Sequence, residues 1–296
     1  MGLRKPACGL VLWALLWSLG IPLGIANDDK VTIVAGLSEE SLYDTSITDA
    51  KIVFSLIFNQ AIKESEEQFV LEIYKTDLEV ERKLIAGELD AVFTNTIHYL
   101  EIEEYLNPKG SYIIQHGPKI KPQYYLLTTR KSGIDRLSQL QGMKISIPRG
   151  HAVGELFLDV MLLRQNLPVT DQFFSEIRET RESNSAVVNL FFGKVDATLI
   201  TDYAFNVASE LNPQLTKQLI VIDVSEPLAH QVVSVRHDFP PERIKNIEPY
   251  ILNVHESPKM SQVLKTFRLT AVRKIKSNTL AEVRELSDEH RSLLVK

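Results

Sequence analysis

Apolar positions along this chain alternate between two periods. Short apolar runs read as strands: Val31–Gly36, Phe69–Tyr74, Ala91–Phe93, Ser111–Gln115, Tyr124–Arg130, Lys144–Pro148, Phe173–Ile177, Ala197–Ile200, Leu219–Val224 and Gln231–Arg236. Between them the apolar residues fall at helical spacing in Ile52–Ser65, Leu78–Ala86, Glu101–Leu106, Glu155–Arg164, Ser183–Phe192, Pro240–Lys245, Lys259–Phe267 and Leu280–Leu294. Strands that alternate with helices predict an α/β chain built from parallel half-units.

One pattern occurs twice. RKLIAGELDAVFTNTIHY (Arg82–Tyr99) and VNLFFGKVDATLITDYAF (Val188–Phe205) align on Gly87 with Gly193, Asp90 with Asp196 and Ala91 with Ala197. Each reads as an apolar helix stopped by a glycine that takes the left-handed conformation, then an Asp, then a short buried strand. Asp90 and Asp196 sit at the start of their strands, where a short acceptor bonds free backbone N–H groups. Each strand empties into polar residues, Thr94-Asn95-Thr96 in one copy and Thr201-Asp202-Tyr203 in the other. Ligands of open α/β sheets sit outside the carboxyl ends of strands. Two such ends imply two α/β lobes facing each other across a cleft.

A second loop points the same way. The strand Lys144–Pro148 runs into Arg149-Gly150-His151-Ala152-Val153-Gly154 and a helix. A strand, a glycine loop and a helix N-terminus direct backbone N–H groups at an anion. No Gly-Lys-Ser/Thr follows, so this is not a nucleotide P-loop.

The ends of the chain behave differently. Arg4 and Lys5, the apolar run Leu10–Leu19 and Gly24-Ile25-Ala26 read as a cleaved signal peptide over residues 1–26. The single cysteine, Cys8, lies in that leader, so no disulfide framework is expected in the mature protein. The 296 residues carry 33 basic and 38 acidic side chains, a net charge of −5. An acidic exported chain is a poor partner for nucleic acid or an anionic membrane. No H-E-x-x-H, G-x-S-x-G or C-x-x-C occurs, and the seven histidines are scattered without metal-ligand spacing. The reading is therefore not an enzyme, with no metal and no cofactor.

The segments SGIDRLSQLQG (Ser132–Gly142), the doubled Gly-x-x-Asp-Ala and VSEPLAHQVVSVRHDFPPE (Val224–Glu242) resemble the phosphonate/phosphite/phosphate-binding periplasmic solute-binding proteins of ABC importers. That resemblance implies an α/β, two-lobe type 2 periplasmic binding protein fold. Each lobe is a mixed β-sheet flanked by helices, with the ligand in the interlobe cleft. Lobe 1 is then 27–124 and 218–296, lobe 2 is 125–217, and the crossings fall near Tyr125–Thr129 and Ile220–Val235. The family's Ser-Thr-Ser-Gly loop reads His151-Ala152-Val153-Gly154 here, so its hydroxyls are gone and Arg149 or His151 is left to supply charge. Asp202 aligns with an acidic position that in this family can meet a ligand amine. The expected ligand is a small anion or zwitterion. Its expected contacts are Ser38, Thr94, Asn95, Thr96, Arg149, Gly150, His151 and Asp202, with Tyr203 as an apolar wall. The expected role is a monomeric protein of the periplasm that captures this ligand by lobe closure and delivers it to an inner-membrane ABC permease. The alternative is a periplasmic sensing protein that presents its ligand state to a membrane kinase or cyclase.

Overall fold

The computed structural model describes residues 31–64, 68–266 and 268–295. The leader 1–26 lies outside them. In chain order the strands are β1 Thr32–Ser38, β2 Gln68–Tyr74, β3 Ala91–Asn95, β4 Leu106–His116, β5 Tyr124–Thr129 and β6 Lys144–Pro148. They continue as β7 Glu176–Thr180, β8 Ala197–Thr201, β9 Leu219–Val224, β10 Gln231–Arg236 and β11 Leu269–Lys274. The helices are α1 Ile47–Glu64, α2 Asp77–Ile85, α3 Thr96–Glu101, α4 Ala152–Arg164, α5 Thr170–Phe173 and α6 Ser183–Phe191. After them come α7 Asp202–Leu211, α8 Gln214–Gln218, α9 Pro241–Leu252, α10 Pro258–Thr266 and α11 Ala281–Leu294.

The strands form two mixed sheets, ordered β11-β4-β10-β3-β1-β2 and β7-β6-β8-β5-β9. In the first, β1 pairs parallel with β2 and β3, while β10 and β11 run antiparallel to their neighbours. In the second, β6 pairs parallel with β7 and β8, and β5 runs antiparallel to β8 and β9. The chain passes between sheets at 117–123 and again at 225–230, because β4 leads into β5 and β9 into β10.

The repeated helix–glycine–Asp–strand unit has one physical cause in both lobes. At the end of α2, Gly87 N–H bonds Leu84 O and Glu88 N–H bonds Lys83 O; at the end of α6, Gly193 N–H bonds Leu190 O and Lys194 N–H bonds Asn189 O. This paired closure needs a left-handed residue, and Gly87 and Gly193 have φ of 75° and 69°. Asp90 then accepts from Val34 N–H at 2.9 Å and Asp196 from Lys144 N–H at 3.0 Å. Each carboxylate satisfies a backbone donor on the neighbouring strand, so both are structural.

Four expectations change. Glu101–Leu106 is not one helix: α3 ends at Glu101, a short 3-10 turn covers Glu103–Tyr105, and β4 starts at Leu106. The strand placed at Phe173–Ile177 begins at Glu176, since Phe173 closes α5. Thr201 caps α7 by accepting from Ala204 N–H, so the polar strand end is a helix start. The segment 218–296, assigned to the first lobe, divides. β9 pairs with β5 in the second sheet, and α11 packs on α4 through Val283 and Leu286, which join that sheet's core. Leu280, just before α11, is buried in a core of the first sheet.

Candidate functional site

The loop after β1 sets the site. Ser38 Oγ donates to Asp77 Oδ1, Ser41 Oγ donates to the same oxygen at 2.8 Å, and Asn95 Nδ2 donates to Asp77 Oδ2 at 2.9 Å. Asn95 Oδ1 in turn caps α3 by accepting from His98 N–H. Asp77, in the first turn of α2, thus ties three strand-end residues together and fixes where residues 42–44 project.

They project across to the second sheet. Tyr43 is 4% exposed, and its hydroxyl lies 3.1 Å from Thr201 Oγ1 at the end of β8. Its ring stacks between two imidazoles, His151 at 4.5 Å and His230 at 4.1 Å, with His116 tilted beside it at 4.7 Å. His151 comes from the loop before α4, His116 from the end of β4 and His230 from the residue before β10. The last two meet because β4 and β10 are neighbours and both end at the crossings. Gly150 allows the close approach: it has φ of 75°, and a Cβ there would stand 2.0 Å from Leu42 O. Gly154 serves a similar end, since a Cβ would fall 2.5 Å from the Tyr124 ring.

Beside the ring stack, Asp44 places a carboxylate at the start of α6. Its Oδ1 accepts from Ser183 N–H at 2.7 Å and Ser183 Oγ at 2.8 Å, and Arg268 donates to Oδ2 at 3.3 Å. His151 Nε2 is 3.9 Å from Oδ1. Burial alone would raise the Asp44 carboxyl; His151 and the Ser183 donors outweigh it and hold it at about 2. Burial also lowers His116 to about 4, against the hydrogen bond that its Nε2 donates to Gln231 Oε1, and pushes His230 well down.

Several polar atoms of this cluster are buried without a hydrogen-bond partner: His151 Nδ1, both ring nitrogens of His230, Thr94 Oγ1 and the Tyr124 hydroxyl. A buried polar atom without a partner costs about 1–3 kcal/mol. Five such atoms concentrate around one point, and buried polar atoms without partners call for an explanation. No group of three His, Cys, Asp or Glu side chains among the described residues is arranged to hold a metal ion.

The expected site residues separate into three sets. Thr94, Gly150 and His151 lie at the cluster. Ser38 and Asn95 support it through Asp77, and Thr96 Oγ1 is held by Ala229 O at 2.7 Å. Arg149 and Asp202 have other partners. Arg149 turns outward to Glu179 on the adjacent strand at 3.1 Å, with 56% of its side chain exposed. Asp202 accepts from Lys119 Nζ at 2.7 Å and from Gln123 N–H and Tyr203 N–H, so its carboxylate ties the first crossing to α7. Tyr203 packs on that crossing at Gly117, where a Cβ would meet its ring at 2.6 Å. Tyr43, Asp44, His116 and His230 were missed. The four rings of the stack come from four separate stretches of chain and leave no local pattern, and only strand adjacency brings His116 and His230 together. Outside the stack, a groove of about 320 Å³ is lined by Asp77, Glu81, Asn95, His98, Glu101 and Ala152.

The geometry has counterparts among known proteins. The family model described as the phosphonate periplasmic substrate-binding protein of ABC transporters matches residues 58–280. No curated protein matches the chain. Among solved structures, PhnD1 of Prochlorococcus marinus in complex with methylphosphonate superposes with a TM-score of 0.66 at 13% identity, covering 89% of this chain and 98% of that one. A binding protein component of a Pseudomonas aeruginosa ABC phosphonate transporter gives 0.66 at 12% identity, over 90% and 89% of the two chains. The Escherichia coli periplasmic aliphatic sulphonate binding protein SsuA gives 0.52 at 13%, over 90% and 93%. These neighbours share the type 2 periplasmic binding protein fold. The match across most of the chain, on two mixed sheets whose strand ends meet at a buried polar cluster, makes this protein a member of the phosphonate periplasmic substrate-binding proteins of ABC transporters.

Proposed function

We propose that the cluster around Tyr43 receives the head group of a small oxyanion of the phosphonate or sulfonate class. The unpartnered nitrogens of His151 and His230, with Thr94 Oγ1, carry this reading. The first-lobe body is the β1–β4, β10, β11 sheet and the second the β5–β9 sheet, with the ligand at their facing strand ends. The protein acts as a monomer after cleavage following Ala26 and delivers its ligand to an inner-membrane permease. Isothermal titration with methylphosphonate, inorganic phosphate and ethanesulfonate tests the head-group site. At least one should bind, and His230→Gln and His151→Gln should each weaken it tenfold or more. Failure of all three anions to bind would overturn the reading.

A further inference from the structure

The first lobe holds an apolar cavity of about 140 Å³ between its sheet and the helices α1, α9 and α10. Its walls include Val53 and Phe54 of α1, Phe93 of β3, Ile247 of α9 and Val272 of β11. Protein interiors are close-packed, so a void of this size inside one lobe is unusual. A dry engineered cavity of about 150 Å³ takes up benzene. This one is not closed off from the polar cluster. Tyr43, Thr94, His116 and Gln231 line it as well; Tyr43 and His116 belong to the ring stack, and Gln231 bonds His116. Thr94 is 2% exposed and its Oγ1 has no partner. The lining therefore grades from apolar side chains at one end to a buried, unsatisfied hydroxyl and an imidazole at the other. Small ligand sites have this composition: an apolar body with a few placed polar groups.

We infer that the ligand is an amphiphilic oxyanion, an alkyl- or aryl-phosphonate or -sulfonate, whose apolar tail enters the first-lobe core past Tyr43 and Thr94. This rests on the head-group reading above. It adds that the tail is buried inside one lobe, not left in the space between the two. A head group alone would satisfy the histidines and leave the cavity empty; a head group that carries a tail of several carbons removes both deficits at once.

The experiment is a titration series of n-alkylphosphonates from methyl to octyl against the wild-type protein, Ala50→Phe and Ala271→Leu. The two substitutions fill the cavity from opposite walls, α1 and β11. Wild-type affinity should rise roughly fourfold per methylene until the cavity is full. Both variants should bind methylphosphonate as wild type does and lose the chain-length slope. If one variant fails to fold, the other carries the comparison. Methylphosphonate binding with no gain on lengthening, or a slope that survives in a folded variant, overturns the inference and leaves the head-group site standing. Absence of binding at every length overturns both.

Discussion

His116 and His230 are neutral because they are buried, and that has two consequences of opposite sign. The folded protein holds His116 at about 4, below the ordinary value of 6.5. The unfolded chain therefore binds the proton first as pH falls. The stability from a neutral His116 is complete above pH 6.5 and is lost as pH falls toward 4, on the order of 3 kcal/mol. Melting temperature from pH 7.5 to 4.5 should fall, and His116→Gln should fall less steeply. A parallel decline in both proteins would remove His116 as the cause. Ligand affinity should move the other way. A bound oxyanion favours a charged imidazole, so binding takes up a proton and tightens as pH falls. Ethanesulfonate stays a monoanion throughout, and titrations at pH 7.5 and 6.0 should show several-fold tighter binding at the lower value. A flat profile would mean the histidines bind as neutral donors.

At the scale of elements, the repeated turn and the loop before α4 ask different things of glycine. Gly193 has open space around the position of a Cβ, so Gly193→Ala costs only its φ of 69°, about 1 kcal/mol, measurable by denaturant titration. Gly150 faces the backbone of the other lobe at Leu42. Gly150→Ala should hold the sheets apart. Small-angle scattering should give a larger radius of gyration than wild type, with far-ultraviolet circular dichroism unchanged. An unaltered radius would show that the loop yields. These same elements show what the sequence exposes. The helix–Gly–Asp–strand unit was legible because its turn needs one residue type at one spacing, and both Asp side chains bond where a strand start demands an acceptor. The start of α7 was not legible, because Thr201 and Asp202 read equally as a polar strand end and as a helix cap. His151 was visible from its loop. His116 and His230 stand more than a hundred residues apart, and strand pairing alone unites them.

Across the whole molecule, α11 is a third link between the two sheets. Leu280 anchors its entry in the first sheet's core, while Val283 and Leu286 pack in the second. Polar ties follow the same division. Arg284 pairs with Glu103, before β4, and Arg164 of α4 pairs with Glu289. Lys121, on the first crossing, pairs with Glu282. Removing residues 277–296 uncovers the apolar face of α4 and should cost roughly 3–6 kcal/mol, two buried aliphatic side chains' worth. Chemical denaturation of the shortened chain measures this. A loss below 0.5 kcal/mol would mean α11 lies on the surface without supporting it.

Asp44 means that the vicinity of the proposed head-group site is already occupied by an anion belonging to the protein itself. Its carboxylate holds the α6 N-terminus and stands within 4 Å of His151, at 3.9 Å. An entering oxyanion must share that positive region or displace this internal competitor. Apparent affinity is then the intrinsic affinity scaled by the fraction of molecules in which the site is free. Affinity and rigidity become opposed quantities, set by one residue. Asp44→Asn should melt at a lower temperature, having lost its charged hydrogen bonds, yet bind methylphosphonate more tightly. It should also narrow the gap between singly and doubly charged ligands, because the doubly charged ones displace a carboxylate more readily. A selectivity filter of this kind needs no contact between Asp44 and the ligand, only rivalry for the same donors.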